Sequence, residues 1–280
     1  MKTKMVISVL LATLFLTLSC GVEAQDLVIL HTNDTHSNIE PAASGRNAGM
    51  GGVQRRANYF ASVKAENKNV LILDAGDYNQ GTPYFTLFGG EAEIELNNAM
   101  GYDAVALGNH EFDNGVEHLA NRLKNAKYPT LSANYDFSGT ALEDVIKPYV
   151  IIKKGGIKIG IIGVTLDLKG YVAEKSRAGV KYSNPIPVVN ELAAMLRKRK
   201  GCDLVVVISH LGYDGGSPNK PADKELAALT SNVDIIIGGH SHTFMEEPEL
   251  VMNRDGKGVI INQTGAAGVF VGRIDISFKK

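Results

Sequence analysis

The segment Leu27-Val28-Ile29-Leu30-His31-Thr32-Asn33-Asp34-Thr35-His36 decides the fold of this chain. Its first five residues form a nearly continuous apolar run, which is typical of a β-strand buried on both faces. Asp34 and His36 follow at the point where such a strand ends. Four other segments repeat this arrangement, and their predicted strands are Val70–Leu73, Ala104–Leu107, Leu204–Ile208 and Asp234–Ile237.

Polar side chains of the kind that bind metals follow each of these strands at once. The segments that carry them are Asp74–Asp77, Gly108–Asp113, Ser209–His210 and Gly239–His242. The carboxyl ends of parallel strands meet at one edge of an open α/β sheet, where ligands bind. We therefore expect histidines, aspartates and an asparagine from five strand ends to lie together at one edge.

Imidazole and carboxylate ligands without any thiolate favour a catalytic metal site over a structural zinc site. Two divalent cations roughly 3.5–4 Å apart can clamp a phosphate group and activate a water molecule. A carboxylate shared between them offsets part of their mutual repulsion. The residue types predict two divalent cations and leave Zn, Mn, Fe and Co undistinguished.

Helical patterns separate the predicted strands, which indicates an α/β fold with mixed sheets. Helices are predicted over Gly52–Asn67, Gly115–Ala126, Pro187–Lys200 and Asp223–Thr230. Hairpins are predicted for Val150–Lys154 with Ile157–Val164, and for Val259–Thr264 with Val269–Phe278. Neither a repeat nor a linker interrupts residues 25–280, which we interpret as one domain.

Residues 1–24 are predicted to be a secretory signal. Lys2 and Lys4 precede a short apolar run, and cleavage after Ala24 leaves Gln25 first. Leu18-Ser19-Cys20-Gly21 alternatively resembles a lipoprotein box, whose signal ends before Cys20 and whose cysteine is acylated. We favour simple cleavage and a secreted or periplasmic protein, with a lipid anchor at Cys20 as the only route to a membrane.

Charge and cysteine content exclude two classes of protein. The chain has 29 basic and 30 acidic residues, and loss of residues 1–24 leaves 27 and 29. A nucleic-acid-binding surface normally requires a basic excess, so binding to a nucleic-acid polymer is not expected. Two cysteines, Cys20 and Cys202, are too few for a disulfide framework.

Four motifs in order resemble the calcineurin-like metallophosphoesterases, and more closely the N-terminal catalytic domain of the 5′-nucleotidase and UDP-sugar hydrolase family. The motifs are His31–His36, Gly76–Gly81, Gly108–Asp113 and Gly239–His242. The resemblance covers residues 26–278. It implies a four-layer α/β/β/α sandwich with two mixed β-sheets and the metals at one edge.

The resemblance also implies a role for individual residues. Asp34, His36 and His242 would hold the first metal, Asn109, His210 and His240 the second, and Asp77 would bridge both. His110 would stabilise charge developing on the phosphoryl or leaving oxygen, with Asp113 orienting its ring. The nucleophile would be a metal-activated water, and 5′-nucleotides would be the substrates. Substrate-binding residues are not assigned.

In the family, a second, C-terminal domain grips the base and the phosphate. The segment Gly272–Phe278 resembles the last strand of the catalytic domain, so we expect a separate polypeptide to supply that function. The alternatives are a broad-specificity phosphatase, or a phosphodiesterase or UDP-sugar hydrolase. A different class stays open as well: a non-enzymatic metal-binding subunit of a split nucleotidase.

Several polar residues near the motifs are interpreted as structural. His31 lies within a predicted strand, His118 lies on a surface helix, and Glu111 is assigned to the framework. Asp74 either supports a ligand histidine or caps a turn. The loop Gly212–Gly216 is interpreted as a plain loop rather than a substrate contact.

Overall fold

The computed structural model describes residues 27–278, so the predicted signal segment and Cys20 lie outside the described residues. In chain order the strands are β1 Leu27–Thr32, β2 Val70–Asp74, β3 Ala104–Ala106, β4 Thr130–Leu131, β5 Tyr135–Asp136, β6 Tyr149–Lys154, β7 Ile157–Thr165, β8 Lys181–Tyr182, β9 Leu204–His210, β10 Ile235–Gly238, β11 Glu249–Met252, β12 Gly258–Asn262 and β13 Gly272–Ile276. The helices are α1 Val53–Glu66, α2 Pro83–Phe88, α3 Glu91–Met100, α4 Val116–Leu123, α5 Pro185–Ala194 and α6 Asp223–Leu229.

Two mixed sheets form the framework, as predicted. The first has the order β13-β1-β2-β3-β4, in which only β13 is antiparallel to its neighbour. The second has the order β11-β12-β10-β9-β7-β6, with parallel inner strands and antiparallel edges. Strands β5 and β8 form a small antiparallel pair.

Alternate residues of β1 face different layers, which explains its continuous apolar sequence. Leu27 and Ile29 pack between the sheets, together with Ile161 and Val206 of the second sheet. Val28 and Leu30 pack on the opposite face in the core that α1, α3 and α4 cover. A third core lies under α5 and α6 on the outer face of the second sheet. The result is the predicted four-layer α/β/β/α sandwich.

The predicted hairpin at the C-terminus is wrong. Strand β12 belongs to the second sheet and pairs with β11 and β10, whereas β13 pairs with β1 in the first sheet. The glycine-rich segment between them crosses from one sheet to the other, where Ala267 N–H donates to the Asp34 carbonyl at 2.7 Å. The hairpin interpretation failed because a Gly-rich turn has the same local sequence whether it reverses the chain or changes sheets.

The other element predictions are confirmed with small shifts. The hairpin of β6 and β7 forms around Gly155 and Gly156. Helix α5 begins at Pro185, two residues early, because Asn184 Oδ1 accepts from Ile186 N–H and caps it. Its end continues as a π-helical turn over Met195–Arg199. The sequence did not predict α2 and α3. Within residues 27–278 no helix has the length and apolar character needed to cross a bilayer.

His31 makes the stability of the fold sensitive to acid. It is fully buried in β1, against Gly272 of β13. Burial lowers the pKa of His31 to about 4, more than the contact with Asn262 raises it. Below pH 6.5 the unfolded chain binds a proton on His31 that the folded chain does not bind. The contribution of the neutral His31 ring to the free energy of unfolding is therefore complete above pH 6.5 and is lost as the pH falls towards 4.

We therefore expect His31→Leu to reduce the loss of stability between pH 7.5 and pH 5 by about 2 kcal/mol. Urea unfolding of both proteins at the two pH values measures it. Equal losses in the two proteins would contradict the assignment to His31.

Candidate metal centre

The predicted ligands converge on one edge, where the carboxyl ends of strands from both sheets meet. Asp34 and His36 follow β1, Asp77 follows β2, Asn109 follows β3, His210 ends β9, and His240 and His242 follow β10. Two groups of side chains each place one ligand atom per residue within 4.8 Å of one another: Asp34, His36 and His242, and Asp77, His210 and His240. All seven predicted ligands therefore lie at this edge or immediately beside it.

The two groups are adjacent to each other. His210 Nε2 lies 3.0 Å from Asp77 Oδ2 and 3.9 Å from Asp34 Oδ1. Asp34 Oδ1 also lies 3.4 Å from His242 Nε2. The Asp34 carboxylate thus faces both groups, which is the proximity that a dinuclear site requires.

The hydrogen bonds of two histidines orient their Nε2 atoms towards the other candidate ligands. His210 Nδ1–H donates to the Ala75 carbonyl at 2.7 Å, and His36 Nδ1–H donates to the Asn79 carbonyl at 3.1 Å. A carbonyl can only accept, so Nδ1 carries a hydrogen in both rings, and the neutral form of each ring, which is the form that binds a metal, has its lone pair on Nε2. His36 Nε2 then lies 2.9 Å from His242 Nε2, and His210 Nε2 lies 3.0 Å from a carboxylate oxygen. Cations between these atoms would replace the close contacts with metal–ligand bonds. The residues therefore fit two metals.

Asn109 fits the same interpretation. Its Oδ1 is buried and has no hydrogen-bond partner among the described residues. A buried oxygen without a partner costs free energy unless water or an ion satisfies it. The amide oxygen would add a ligand without adding negative charge, which suits a site for an anionic substrate.

Backbone conformation at the ligands is unusual. Five of the seven adopt a positive φ, between 46° and 74°: Asp34, His36, Asp77, His240 and His242. This conformation is uncommon outside glycine and concentrates at functional sites. Neighbouring loops hold it in place, since Asp34 N–H donates to the Gly76 carbonyl at 2.9 Å and His36 N–H to the Asp77 carbonyl at 3.0 Å.

Two glycines let these loops approach closely. A Cβ on Gly108 would lie 2.1 Å from Asp77 Oδ1, and one on Gly76 would lie 2.5 Å from the Gly108 nitrogen. Neither position accepts a side chain without displacing the Asp77 carboxylate or the loop after β3. Gly76 and Gly108 are therefore required, because a side chain at either position would overlap the neighbouring loop.

Glu111 holds the loops after β2 and β3 together. Its buried carboxylate accepts backbone N–H groups of Gly108 at 2.6 Å, Asp77 at 2.9 Å and Asn79 at 3.2 Å. The structural role expected for Glu111 is confirmed. Asp74 caps its own turn by accepting from Gly76 N–H at 2.9 Å, which decides between its two interpretations.

His110 and Asp113 form a hydrogen-bonded pair beside the ligand groups. Asp113 Oδ2 lies 2.8 Å from His110 Nδ1, and both side chains are about one-third exposed. The hydrogen bond with Asp113 raises the pKa of His110, more than burial lowers it. Nε2 of the same ring stays available for a further contact. The backbone N–H of His110 donates to Asp77 Oδ1 at 2.8 Å.

Sequence reasoning missed two buried amides that hold the ligand loops. Gln263, fully buried, donates to the Gly239 carbonyl at 2.9 Å and accepts from Thr243 N–H and from Ser241 Oγ at 2.5 and 3.0 Å. Asn33 donates to Asp34 Oδ2 at 2.6 Å. Only the tertiary structure brings Gln263 to the loop of His240 and His242, so its local sequence carried no signal.

Residues 27–244 match the sequence model of the calcineurin-like phosphoesterase family, and the chain therefore belongs to that family. It is 35% identical to the snake venom 5′-nucleotidase of Gloydius brevicauda over 93% of this chain and 47% of that protein. It is 34% identical to the 5′-nucleotidase of Homo sapiens over 95% of this chain and 50% of that protein.

A solved structure agrees with the fold. The 5′-nucleotidase precursor of Thermus thermophilus superimposes with a TM-score of 0.81 at 37% identity, over 90% of this chain and 51% of that chain. The chain thus spans about half the length of these relatives.

Gln263→Leu is expected to lower the affinity for a divalent cation about tenfold, because the backbone that carries His240 and His242 loses its partners. Calorimetric titration of the full chain with Mn²⁺ measures the affinity. The matched control is Gln54→Leu on the exposed face of α1. An equal affinity for Mn²⁺ in the two variants would show that Gln263 does not position the ligands.

Proposed function

We propose that this chain is a secreted two-metal phosphoesterase that hydrolyses phosphate esters of 5′-nucleotides. The observation that carries the proposal is the pair of adjacent ligand groups, with His110 beside them. Asp34, His36 and His242 would hold one cation and Asn109, His210 and His240 the other, with Asp77 between the two. When bound, the cations polarise phosphoryl oxygens and acidify water.

The protein itself contributes orientation and charge. Glu111 and the Asp77 backbone fix the loop that carries Asn109 and His110. The Asp113 carboxylate fixes the His110 ring and favours its protonated form. A protonated imidazole at this position can donate to a phosphoryl or leaving oxygen, where negative charge develops in the transition state.

The substrate class rests on the relatives. Two of them are 5′-nucleotidases that align with more than nine-tenths of this chain. These relatives are about twice as long as the segment that they share with this chain. Because the family resemblance places recognition of the base and the phosphate in a second domain, we propose that a separate polypeptide contributes to it. The metals remain Zn, Mn, Fe or Co, because nitrogen and oxygen ligands accept all four.

Secretion is proposed from residues 1–24, with soluble release preferred to a lipid anchor at Cys20. The presence of a 5′-nucleotidase from snake venom among the relatives supports an extracellular location. Mass spectrometry of the mature protein distinguishes the two outcomes, because cleavage leaves Gln25 first and acylation leaves a modified Cys20.

Activity against three substrates tests the proposal. Chain stripped of metal and reloaded with Mn²⁺ is expected to hydrolyse 5′-AMP and p-nitrophenyl phosphate, and to act slowly on bis-p-nitrophenyl phosphate. Chelation is expected to abolish all turnover, because the proposed nucleophile is a water that the cations activate. A preference for the diester would support the phosphodiesterase alternative, and metal binding without turnover would support the metal-binding subunit.

His110→Ala is expected to lower kcat for 5′-AMP by about 10²–10⁴-fold while metal affinity stays unchanged. Asp113→Asn should lower it less, because the ring remains but loses its charged partner. Steady-state kinetics and metal titration on the same preparations measure both effects.

The matched control is His118→Ala on α4, whose ring contacts the Gly89 carbonyl and not the ligand groups. Full activity in His110→Ala would remove this residue from the mechanism. Loss of metal in the same variant would assign it to the framework.

A further inference from the structure

A cleft of about 410 Å³ opens beside the proposed second metal position and shares His240 with it. Its floor contains the buried side chains of Leu166 and Leu211, and its walls carry Tyr171 and the loop Gly212–Gly216. A volume of several hundred Å³ with apolar and polar walls is typical of a small-molecule site. Its position next to His240 means that a group esterified to a phosphate at the centre can reach it.

Tyr171 presents an aromatic ring at the mouth of this cleft. The side chain is 60% exposed, and its ring meets the His240 ring edge-on with centroids 5.0 Å apart. The turn that carries it is fixed, because Leu168 and Val172 on either side are buried and both Tyr171 N–H and Val172 N–H donate to the Leu168 carbonyl. An exposed aromatic on a fixed turn is a ready stacking surface.

The facing wall is fixed as well. Tyr213 N–H donates to Ser241 Oγ at 3.0 Å, and Asp223 N–H donates to the Gly212 carbonyl at 2.8 Å. The Tyr213 hydroxyl donates to Glu249, with the Lys224 ammonium 4.7 Å from the centre of the Tyr213 ring. The cleft is therefore formed before a ligand arrives, which lowers the entropy cost of binding.

The charges of the lining select the chemistry of the occupant. Lys169 and Lys220 are balanced by Asp167 and Asp214. A leaving group with a further phosphate would gain no net attraction there, whereas a neutral, planar and polar group can stack on the ring and hydrogen-bond to the charged side chains. Stacking of a base on an aromatic ring is tolerant of base identity.

We propose that this cleft binds the nucleoside part of the substrate, with Tyr171 as the stacking surface for the base. The inference rests on the proposed phosphoesterase function and assigns one contact with the base to this chain, in addition to the contacts proposed for a separate polypeptide. The loop Gly212–Gly216, interpreted from the sequence as a plain loop, then forms one wall of the substrate site.

Binding of adenosine to the full, Mn²⁺-loaded chain tests the cleft without turnover. Tyr171→Ala and Tyr171→Leu are expected to weaken adenosine binding about tenfold, whereas Tyr171→Phe keeps the ring and most of the affinity. Binding of inorganic phosphate should stay unchanged in all three. The matched control is Tyr59→Ala on α1, an exposed tyrosine away from the cleft.

Kinetics with two monoesters then separates this inference from the proposed function. Relative to ribose 5-phosphate, 5′-AMP should have the higher kcat/KM in the wild type, and Tyr171→Leu should remove the preference through KM. A wild type that hydrolyses neither ester contradicts the proposed function, while adenosine binding still reports on the cleft. Equal adenosine affinity in the wild type and in Tyr171→Leu overturns the inference. So does a loss of phosphate binding in that variant, because it would assign Tyr171 to the support of His240.

Discussion

The carboxylate of Asp34 joins the two sheets at the edge where the candidate metal centre lies. Its oxygens accept the His240 N–H at 2.9 and 3.1 Å, although Asp34 follows a strand of the first sheet and His240 one of the second. Its own carbonyl accepts from Ala267 in the segment that crosses between the sheets. A buried carboxylate with these partners is costly to displace, so the relative position of the sheets and the geometry of the ligands depend on each other.

This dependence explains why so much of the site lies in loops with a positive φ. The strands end in a hydrophobic layer that has no groups to hold a cation. The ligands must therefore come from sharp turns immediately beyond it. Glu111 and Gln263 hold these turns together from inside. Each uses one buried side chain to bond backbone groups of the turns that have no neighbouring strand to pair with. Buried amides and carboxylates behind the candidate metal centre thus hold its loops in place.

The proposed division of labour within the site follows from burial. Asp34, Asp77 and His210 are nearly inaccessible and form the inner part of the centre. His242 and His110 are partly exposed and face the solvent side, where a substrate arrives. The cleft beside Tyr171 continues this open side. Under the proposal, the inner residues retain the cations and Tyr171 contacts the substrate, so substitutions at these two places are expected to have separable effects.

The sequence by itself predicted the strands that end at the site and the candidate ligand residues, and the family resemblance of its motifs implied the layers. Apolar runs buried on both faces and the polar residues that follow them are local patterns, and α/β topology brings strand ends together. Only the tertiary structure decided that β12 and β13 belong to different sheets, that Gln263 reaches the His240 loop and that Tyr171 borders a cleft. These features depend on contacts between residues that are distant in the sequence, and such contacts leave no periodicity in the chain.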